Sequence, residues 1–495
     1  MIELTSCKAF RAKDAIHSFA SPITVERPGS PYRELVYQSM STSASVLDLA
    51  IPQSGITRLL IERFRCQEDL ASVAIDPDPD RRSFEDSSSR TRPLEILSTH
   101  LPDSVRKLFG NLHVRGSFFD PLDLVDHLRF ERYTTHLPPF SGDLARNGAL
   151  RNAYYTLRPL LPMPLRRQLQ RTYFRRWSSI PFPIWPVDRT VEDILEGLLV
   201  AAMKARRVNR VPFIWFWPNG ASTCTVLTHD VETSTGLTFC QRLMDLDDSF
   251  GIKASFQIVP EGRYEVAEAF LESIRRRGFE LNVHDLNHDG QLFSNRHQFL
   301  LRAQQINRYA RKFGSLGFRS AILYRNLDWY DALDFAYDMS VPNVAHLDPQ
   351  RGGCCTVFPF FVGSMVELPV TTTQDYSLFH ILGDYSTSLW REQILLILQK
   401  HGLINLIAHP DYIRTNATRG IYTELLSYLS ELRSTGHTWI ALPRDVAAWW
   451  IRRSKLHLVN AGGAWRIEGE GSEHATIAHA VLVNDVLTYE VDHSR

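Results

Sequence analysis

The fold is indicated most clearly by residues 279–313, which read FELNVHDLNHDGQLFSNRHQFLLRAQQINRYARKF. The opening FELNV is a short apolar run, typical of a buried strand, and the run from Arg296 onward has the spacing of apolar residues expected of a helix. A polar loop between them contains two histidines, His284 and His288. The stretch therefore predicts a strand–loop–helix unit with a histidine pair directly after the strand.

The same alternation of strand-like and helix-like runs extends from about residue 190 to residue 450. The strand-like runs are rich in β-branched and aromatic residues and begin at Val211, Thr225, Ala254, Phe279, Ser315, Met365, Ile404 and Thr438. Strands that alternate with helices predict an α/β fold with a parallel sheet, and about seven or eight such units favour a barrel over an open sheet.

The length of 495 residues allows two or three domains. Residues 1–190 form an N-terminal accessory region of unknown role, in which residues 76–93 are polar, Ser-rich and interrupted by proline, as in a linker. We assign residues 191–453 to the predicted barrel. Residues 454–495 predict a small β tail of a few antiparallel strands.

An arginine-rich run, LRRQLQRTYFRRW from Leu165 to Trp177, has helical spacing. It could bind a phosphate or an anionic glycan. Such a run is more often the solvated face of a helix whose leucine and tyrosine side chains pack inward. The sequence leaves both interpretations open.

The overall composition argues against a strongly charged partner, because 55 Lys and Arg residues balance 55 Asp and Glu residues. We expect no nucleic-acid partner. The six cysteines are scattered and predict no disulfide framework. The N-terminus lacks the pattern of a signal peptide, and no run of 18 apolar residues occurs, which predicts a cytoplasmic protein without an integral membrane segment.

Polar side chains follow several of the predicted strands, at the end where a parallel barrel builds its active site. These side chains are Asp230 and Glu232 after TVLTH, His284 and His288 after FELNV, Arg319 after GF, and His409 after INLIA. Their position at strand ends predicts that they lie close together.

The two histidines are candidate metal ligands. On a helical turn, residues four apart lie about 5–6 Å from each other, so both rings could reach one ion. A lone HxxxH is weak evidence in a chain with 18 histidines. The same spacing also fits the HExxH motif of zinc proteases, with Asp285 in place of the glutamate, but that motif requires a continuous helix, and FELNV favours a strand followed by a turn.

A carboxylate would complete a hydrolytic metal site, and Asp230 and Glu232 are the candidates. Residues i and i+2 of a strand point to the same side, so one acid could bind the metal while the other accepts a proton. Glu232 could instead cap the following turn. The residues alone leave open which acid takes which role.

The ordered set THDVE, HDLNH, GFRSA and LIAHP, between Thr225 and Tyr412, resembles the five-motif signature of the polysaccharide deacetylases, the NodB-like carbohydrate esterase family 4. The resemblance implies an irregular (β/α)7-type barrel and a divalent metal, with Zn²⁺ preferred. Two positions depart from the usual pattern: Val231 separates the two acids, and Ala321 stands where the family usually has proline.

The resemblance also implies roles for individual residues. Asp230 matches the catalytic base, and Arg319 matches the arginine that hydrogen-bonds this base. Glu232, His284 and His288 match the metal ligands. His409 matches the general acid, which needs a carboxylate partner, and Asp338 and Asp375 are both plausible, with Asp375 favoured.

The predicted function is therefore a metal-dependent hydrolase that removes N-acetyl groups from an amino sugar of a polysaccharide or glycolipid precursor. Its partner would be an N-acetylated glycan or glycolipid inside the cell, during assembly of an exopolysaccharide or glycolipid. Two alternatives remain: a hydrolase of other amides or cyclic imides on the same barrel, and an inactive barrel that binds a glycan or a partner protein. The sequence does not predict an oligomeric state.

Overall fold

The computed structural model of the protein describes residues 51–67, 121–135 and 162–492. The predicted linker at 76–93 lies outside the described residues. Within the described ranges, no helix combines the length and apolar character needed to cross a bilayer.

The α-helices of the described residues are α1 (Ile51–Phe64), α2 (Pro121–Arg129), α3 (Met163–Phe174), α4 (Thr190–Ala205), α5 (Ser234–Ser249), α6 (Glu268–Arg276), α7 (Arg296–Phe313), α8 (Ser388–Leu398), α9 (Asn416–Ser434) and α10 (Pro443–Arg453). A short π-helix spans Ser377–Leu382.

The strands are β1 (Arg210–Ile214), β2 (Cys224–Val231), β3 (Ser255–Ile258), β4 (Glu280–His284), β5 (Gly317–Arg319), β6 (Tyr337–Asp338), β7 (Phe360–Val362), β8 (Met365–Glu367), β9 (Leu403–Ile407), β10 (Trp439–Ile440), β11 (His457–Ala461), β12 (Ala464–Glu468), β13 (Ile477–Val483) and β14 (Val486–Val491).

The central sheet has the order β10-β2-β3-β4-β5-β6-β8-β7, with β9 also paired to β2. All of its pairings are parallel except β7 with β8. Every residue of β2 is buried, as expected for a parallel strand covered on both faces. This curled, mostly parallel sheet confirms the predicted irregular α/β barrel, and it brings the carboxyl ends of β2, β4, β5 and β9 to one edge.

The predicted barrel strand at Val211 is wrong. That run forms β1, which pairs antiparallel with β13 in a separate three-stranded sheet with β14. Pro212 explains the difference, because proline has no backbone N–H to donate and is confined to edge strands such as β1. The C-terminal strands pair as antiparallel hairpins, β11 with β12 and β13 with β14, as the predicted β extension requires.

Two helices from the N-terminal region pack on the barrel core. Leu60 and Phe64 of α1, and Val125 and Leu128 of α2, are buried in the same hydrophobic cluster as the barrel strands. The domain boundaries at residues 190 and 453 remain predictions. The five cysteines of the described residues are all free and buried.

Candidate active site

Asp230 and Arg319 form a buried ion pair at the carboxyl ends of β2 and β5. Nη1 of Arg319 donates to Oδ1 of Asp230 at 2.8 Å and to Oγ1 of Thr228 at 2.7 Å. Nε of Arg319 donates to the carbonyl oxygen of Met339 at 3.0 Å. Burial alone would raise the pKa of Asp230, but the guanidinium and the nearby imidazoles outweigh it and lower that pKa, so the carboxylate stays ionised.

Three side chains form a group that could hold a metal ion. One donor atom from each of Glu232, His284 and His288 lies within 4.8 Å of the others. Nε2 of His288 lies 2.9 Å from Oε1 of Glu232 without the alignment of a hydrogen bond. Both Nε2 atoms are buried and lack a hydrogen-bond partner, which is costly unless a ligand fills the space between them.

The protonation of His284 and Glu232 suits a divalent cation. Nδ1 of His284 donates to the carbonyl oxygen of Arg319 at 3.1 Å, which leaves the lone pair on Nε2. Burial lowers the pKa of His284 to about 4, so the ring is neutral near pH 7. Burial raises the pKa of Glu232, but the imidazoles of His288 and His409 reverse this and hold it well below its usual value. Neutral imidazole with carboxylate is a donor set that Zn²⁺ prefers.

His288 differs from His284 in its surroundings. Nη2 of Arg263 lies 3.0 Å from Nδ1 of His288 and 2.6 Å from its carbonyl oxygen. Because a guanidinium only donates, Nδ1 accepts here and the ring proton lies on Nε2, facing Glu232. Metal binding through Nε2 would therefore require the other tautomer, with the ring proton on Nδ1 and with Arg263 donating to the carbonyl oxygen alone. No pattern in the sequence points to Arg263.

The histidine pair does not lie on a helix. β4 ends at His284, and Asp285 (φ 56°) and His288 (φ 55°) adopt left-handed conformations that are uncommon for residues other than glycine. The structure therefore has the strand and turn that the sequence favours at this position, and the zinc-protease alternative, which needs a continuous helix, is wrong. The turn places the two rings with centroids 4.8 Å apart, and Oδ1 of Asp285 accepts from the N–H of Leu286 at 2.6 Å within it.

His409 and Asp375 form a second buried pair, beyond the end of β9. Nδ1 of His409 lies 2.6 Å from Oδ1 of Asp375, and the His409 N–H donates to Oδ2 at 2.7 Å. Burial would lower the pKa of His409, but the carboxylate of Asp375 outweighs it and raises the pKa well above the usual value. Nε2 of His409 lies 3.5 Å from Oε1 of Glu232 and 4.0 Å from Oδ2 of Asp230.

Asp338, the alternative partner of His409, is engaged elsewhere. Its carboxylate accepts from the N–H of Ser340 at 3.0 Å and from its hydroxyl at 2.7 Å. It also faces the buried Glu367, and burial raises the pKa of both acids. Of the two aspartates, the structure brings Asp375 to His409.

A third buried network, not predicted from the sequence, connects the strands that carry Asp230 and His409. Nδ1 of His229 donates to the carbonyl oxygen of Ala408 at 3.0 Å, and Nε2 lies 2.9 Å from Oδ2 of Asp247. The hydroxyl of Tyr422 donates to Oδ1 of Asp247 at 2.7 Å. Since neighbouring residues of a strand point to opposite faces, His229 reaches the helices while Asp230 faces the site. The network holds the ends of β2 and β9 together one residue before Asp230 and one residue before His409.

No family model matches the chain, and no curated protein matches it. Solved structures do match. A protein described as a polysaccharide deacetylase from Mycobacterium smegmatis is 17% identical, with a TM-score of 0.39, over 50% of this chain and 96% of that one. An allantoinase is 14% identical, with a TM-score of 0.37, over 47% of this chain and 92% of its own. A family 4 acetyl xylan esterase from Clostridium thermocellum, in complex with a cobalt ion, is 14% identical, with a TM-score of 0.29, over 46% of this chain and 91% of that one. Over about half of its length, this chain resembles solved polysaccharide deacetylases of carbohydrate esterase family 4, the family whose motifs its sequence resembles.

Proposed function

We propose that this protein is a metal-dependent hydrolase that removes N-acetyl groups from an amino sugar of a polysaccharide or glycolipid precursor. One observation supports this proposal above others: a metal-ligating group, a buried base and a buried acid meet at one edge of the sheet. The metal-ligating group is Glu232, His284 and His288. The base is Asp230, which pairs with Arg319, and the acid is His409, which pairs with Asp375.

Glu232, His284 and His288 would hold the metal, with Zn²⁺ preferred for two histidines and one carboxylate. Such an ion, when bound, polarises a carbonyl group and lowers the pKa of a water molecule to about 7. The unpartnered Nε2 atoms of the two histidines support this assignment.

Asp230 would act as the base. Arg319 occupies Oδ1, so Oδ2 is the oxygen left to accept a proton, and it lies 3.8 Å from Nε2 of His284. The lowered pKa of Asp230 keeps the carboxylate ionised until water attacks the carbonyl carbon of the acetamide. Oδ2 then takes the proton that this water releases.

His409 would act as the acid. Asp375 fixes the ring through Nδ1, so Nε2 presents its proton to the site. The raised pKa keeps the ring protonated, ready to donate to the nitrogen as the C–N bond breaks. Water adds its oxygen to the acetyl carbon, and the products are acetate and a free amine.

Tyr412 supports a sugar substrate. Its half-buried ring lies 5.1 Å from the ring of His409, between centroids, where an aromatic face could stack on a pyranose. Trp390, near the same loops, is instead buried in the core, and its Nε1 donates to the carbonyl oxygen of Thr373.

The test is acetate release from N-acetylated oligosaccharides, such as chitooligosaccharides, by the zinc-loaded protein. Asp230→Asn should abolish release, whereas Asp245→Asn, a surface control paired with Arg277, should not. Turnover of small amides or cyclic imides without release from any glycan would favour the other hydrolase. Absence of stoichiometric metal, together with unchanged biological activity of Asp230→Asn, would favour the inactive binding barrel.

A further inference from the structure

Residues 144–187 concentrate positive charge in a chain whose net charge is zero. This stretch contains no Asp, Glu or Lys and eight arginines, at positions Arg146, Arg151, Arg158, Arg166, Arg167, Arg171, Arg175 and Arg176. Within its described part, 162–187, the side chains of Arg171, Arg175 and Arg176 are exposed. A local field of this kind attracts an anionic partner.

The same segment exposes large apolar side chains. Leu165 and Leu169 of α3 are each 45% exposed, and their spacing of four residues places them on one face of the helix. Ile184, later in the segment, is 37% exposed. The rings of Trp177 and Trp185 pair near it, with centroids 4.8 Å apart, and both are half-buried. These leucines point outward, contrary to the usual pattern of a solvated helix.

The opposite side of α3 is attached to the rim of the candidate active site. The hydroxyl of Tyr376 donates to the side-chain oxygen of Gln170, and Nε of Arg171 donates to the carbonyl oxygen of His380 at 2.9 Å. The Tyr376 ring lies 5.1 Å from that of Tyr412, which lies 5.1 Å from that of His409. A partner on the outer face of α3 would therefore lie beside the site.

We propose that α3 and the segment that follows it, to Ile184, form a peripheral binding surface for an anionic phospholipid bilayer. Exposed leucine and isoleucine with arginine around them are the combination that places a helix in the interfacial region of a bilayer, and tryptophan favours the same depth. A dissolved polyanion would be bound by the arginines and would gain nothing from the exposed leucines. The inference concerns binding alone and holds whether or not the barrel is a hydrolase.

The test is cosedimentation of the full chain with vesicles, without substrate. Vesicles of phosphatidylcholine with about 30% phosphatidylglycerol should bind the protein, pure phosphatidylcholine should bind it far less, and raising the salt to about 0.5 M should weaken binding. Leu165→Asp with Leu169→Asp should weaken binding at least about tenfold, because the bilayer removes both side chains from water. Arg175→Glu should weaken it several-fold.

The matched control is Leu300→Asp with Leu301→Asp, a pair of leucines on α7 that are 40% and 47% exposed. This variant should bind like the unmodified protein. The proposal is overturned if the unmodified protein ignores anionic vesicles, if both double variants lose binding equally, or if Arg175→Glu changes nothing. Heparin binding that persists in Leu165→Asp with Leu169→Asp, without vesicle binding, would identify a polyanion site instead.

Discussion

Replacing Arg319 by methionine should destabilise the protein by about 3–5 kcal/mol, the usual effect of removing one partner of a buried ion pair. Arg319 is fully buried, and its guanidinium makes three hydrogen bonds, to Asp230, Thr228 and Met339. The two bonds to neutral groups contribute about 1 kcal/mol each. The rest of the loss, about 1–3 kcal/mol, comes from the Asp230 carboxylate, which would remain buried without its counter-charge.

A second substitution separates these two contributions. Asp230→Asn in the Arg319→Met background removes the unpaired charge at nearly constant volume, so it should restore about 1–3 kcal/mol, leaving the loss of the two hydrogen bonds to neutral groups. The measurement should use metal-free protein prepared with a chelator, so that a bound cation does not substitute for the guanidinium.

The loss of stability caused by Arg319→Met should also depend on pH. The pKa of Asp230 is lowered in the folded protein, so its pairing stabilises the fold above the ordinary pKa of aspartate and this contribution disappears as the pH falls through the folded-state value. The difference between the unmodified protein and Arg319→Met should therefore be largest near pH 7. Because the unfolded state is the same in both proteins, the difference should shrink as the pH falls from the folded-state pKa of Asp230 in Arg319→Met, which burial without a counter-charge raises, toward the lowered pKa in the unmodified protein.

The assay is urea unfolding followed by tryptophan fluorescence. The control is Arg275→Met, because Arg275 pairs with Glu268 at an exposed position and such pairs contribute about 1 kcal/mol or less. The prediction is refuted if Arg319→Met lowers the free energy of unfolding no more than this control does, or if Asp230→Asn restores no stability in the Arg319→Met background.

Three further predictions follow from the site. His284→Ala and His288→Ala should each lose stoichiometric zinc by elemental analysis, whereas the exposed His297→Ala should retain it; equal zinc in all three would contradict the ligand assignment. Asp375→Asn should lower the pKa of His409, so the alkaline limb of kcat/KM should move to lower pH, because the acid loses its proton sooner; an unmoved limb would exclude His409 as the acid. Tyr422→Phe should destabilise the protein by about 1–3 kcal/mol, because it removes a buried hydrogen bond to Asp247, whereas the exposed Tyr385→Phe should be neutral by thermal unfolding.

Much of the site could be predicted because parallel strands end at a common edge. Once the alternation of strands and helices was recognised, the polar residues after TVLTH, FELNV, GF and INLIA had to lie near each other. The alternation of side chains along an extended strand explains why the acids at positions 230 and 232 face the same side. These inferences need only the order of the strands and their direction.

At two places the local structure depends on backbone constraints that apolar patterns do not encode. Pro212 removes a backbone donor and restricts its run to a sheet edge, so the run forms the strand that its propensity predicts, but in a separate sheet and not in the barrel. Left-handed residues at positions 285 and 288 bend the chain after β4; the strand-like run before HDLNH predicts a turn here, but its pattern does not specify these conformations. In both cases single residues, not periodicity, determined the structure.

The choice between Asp338 and Asp375 depended on tertiary docking. Thr371 donates through its hydroxyl to the carbonyl oxygen of Leu403 at 2.8 Å, and Thr372 donates to that of Asn405 at 2.9 Å. These bonds lay the TTTQD segment along β9 and set its register, so that Asp375 lies beside His409, two residues beyond the end of this strand. Residues 371–375 and β9 are separated by about thirty residues in the sequence, and no local pattern links them. A partner fixed by hydrogen bonds between distant segments becomes visible only in the folded chain.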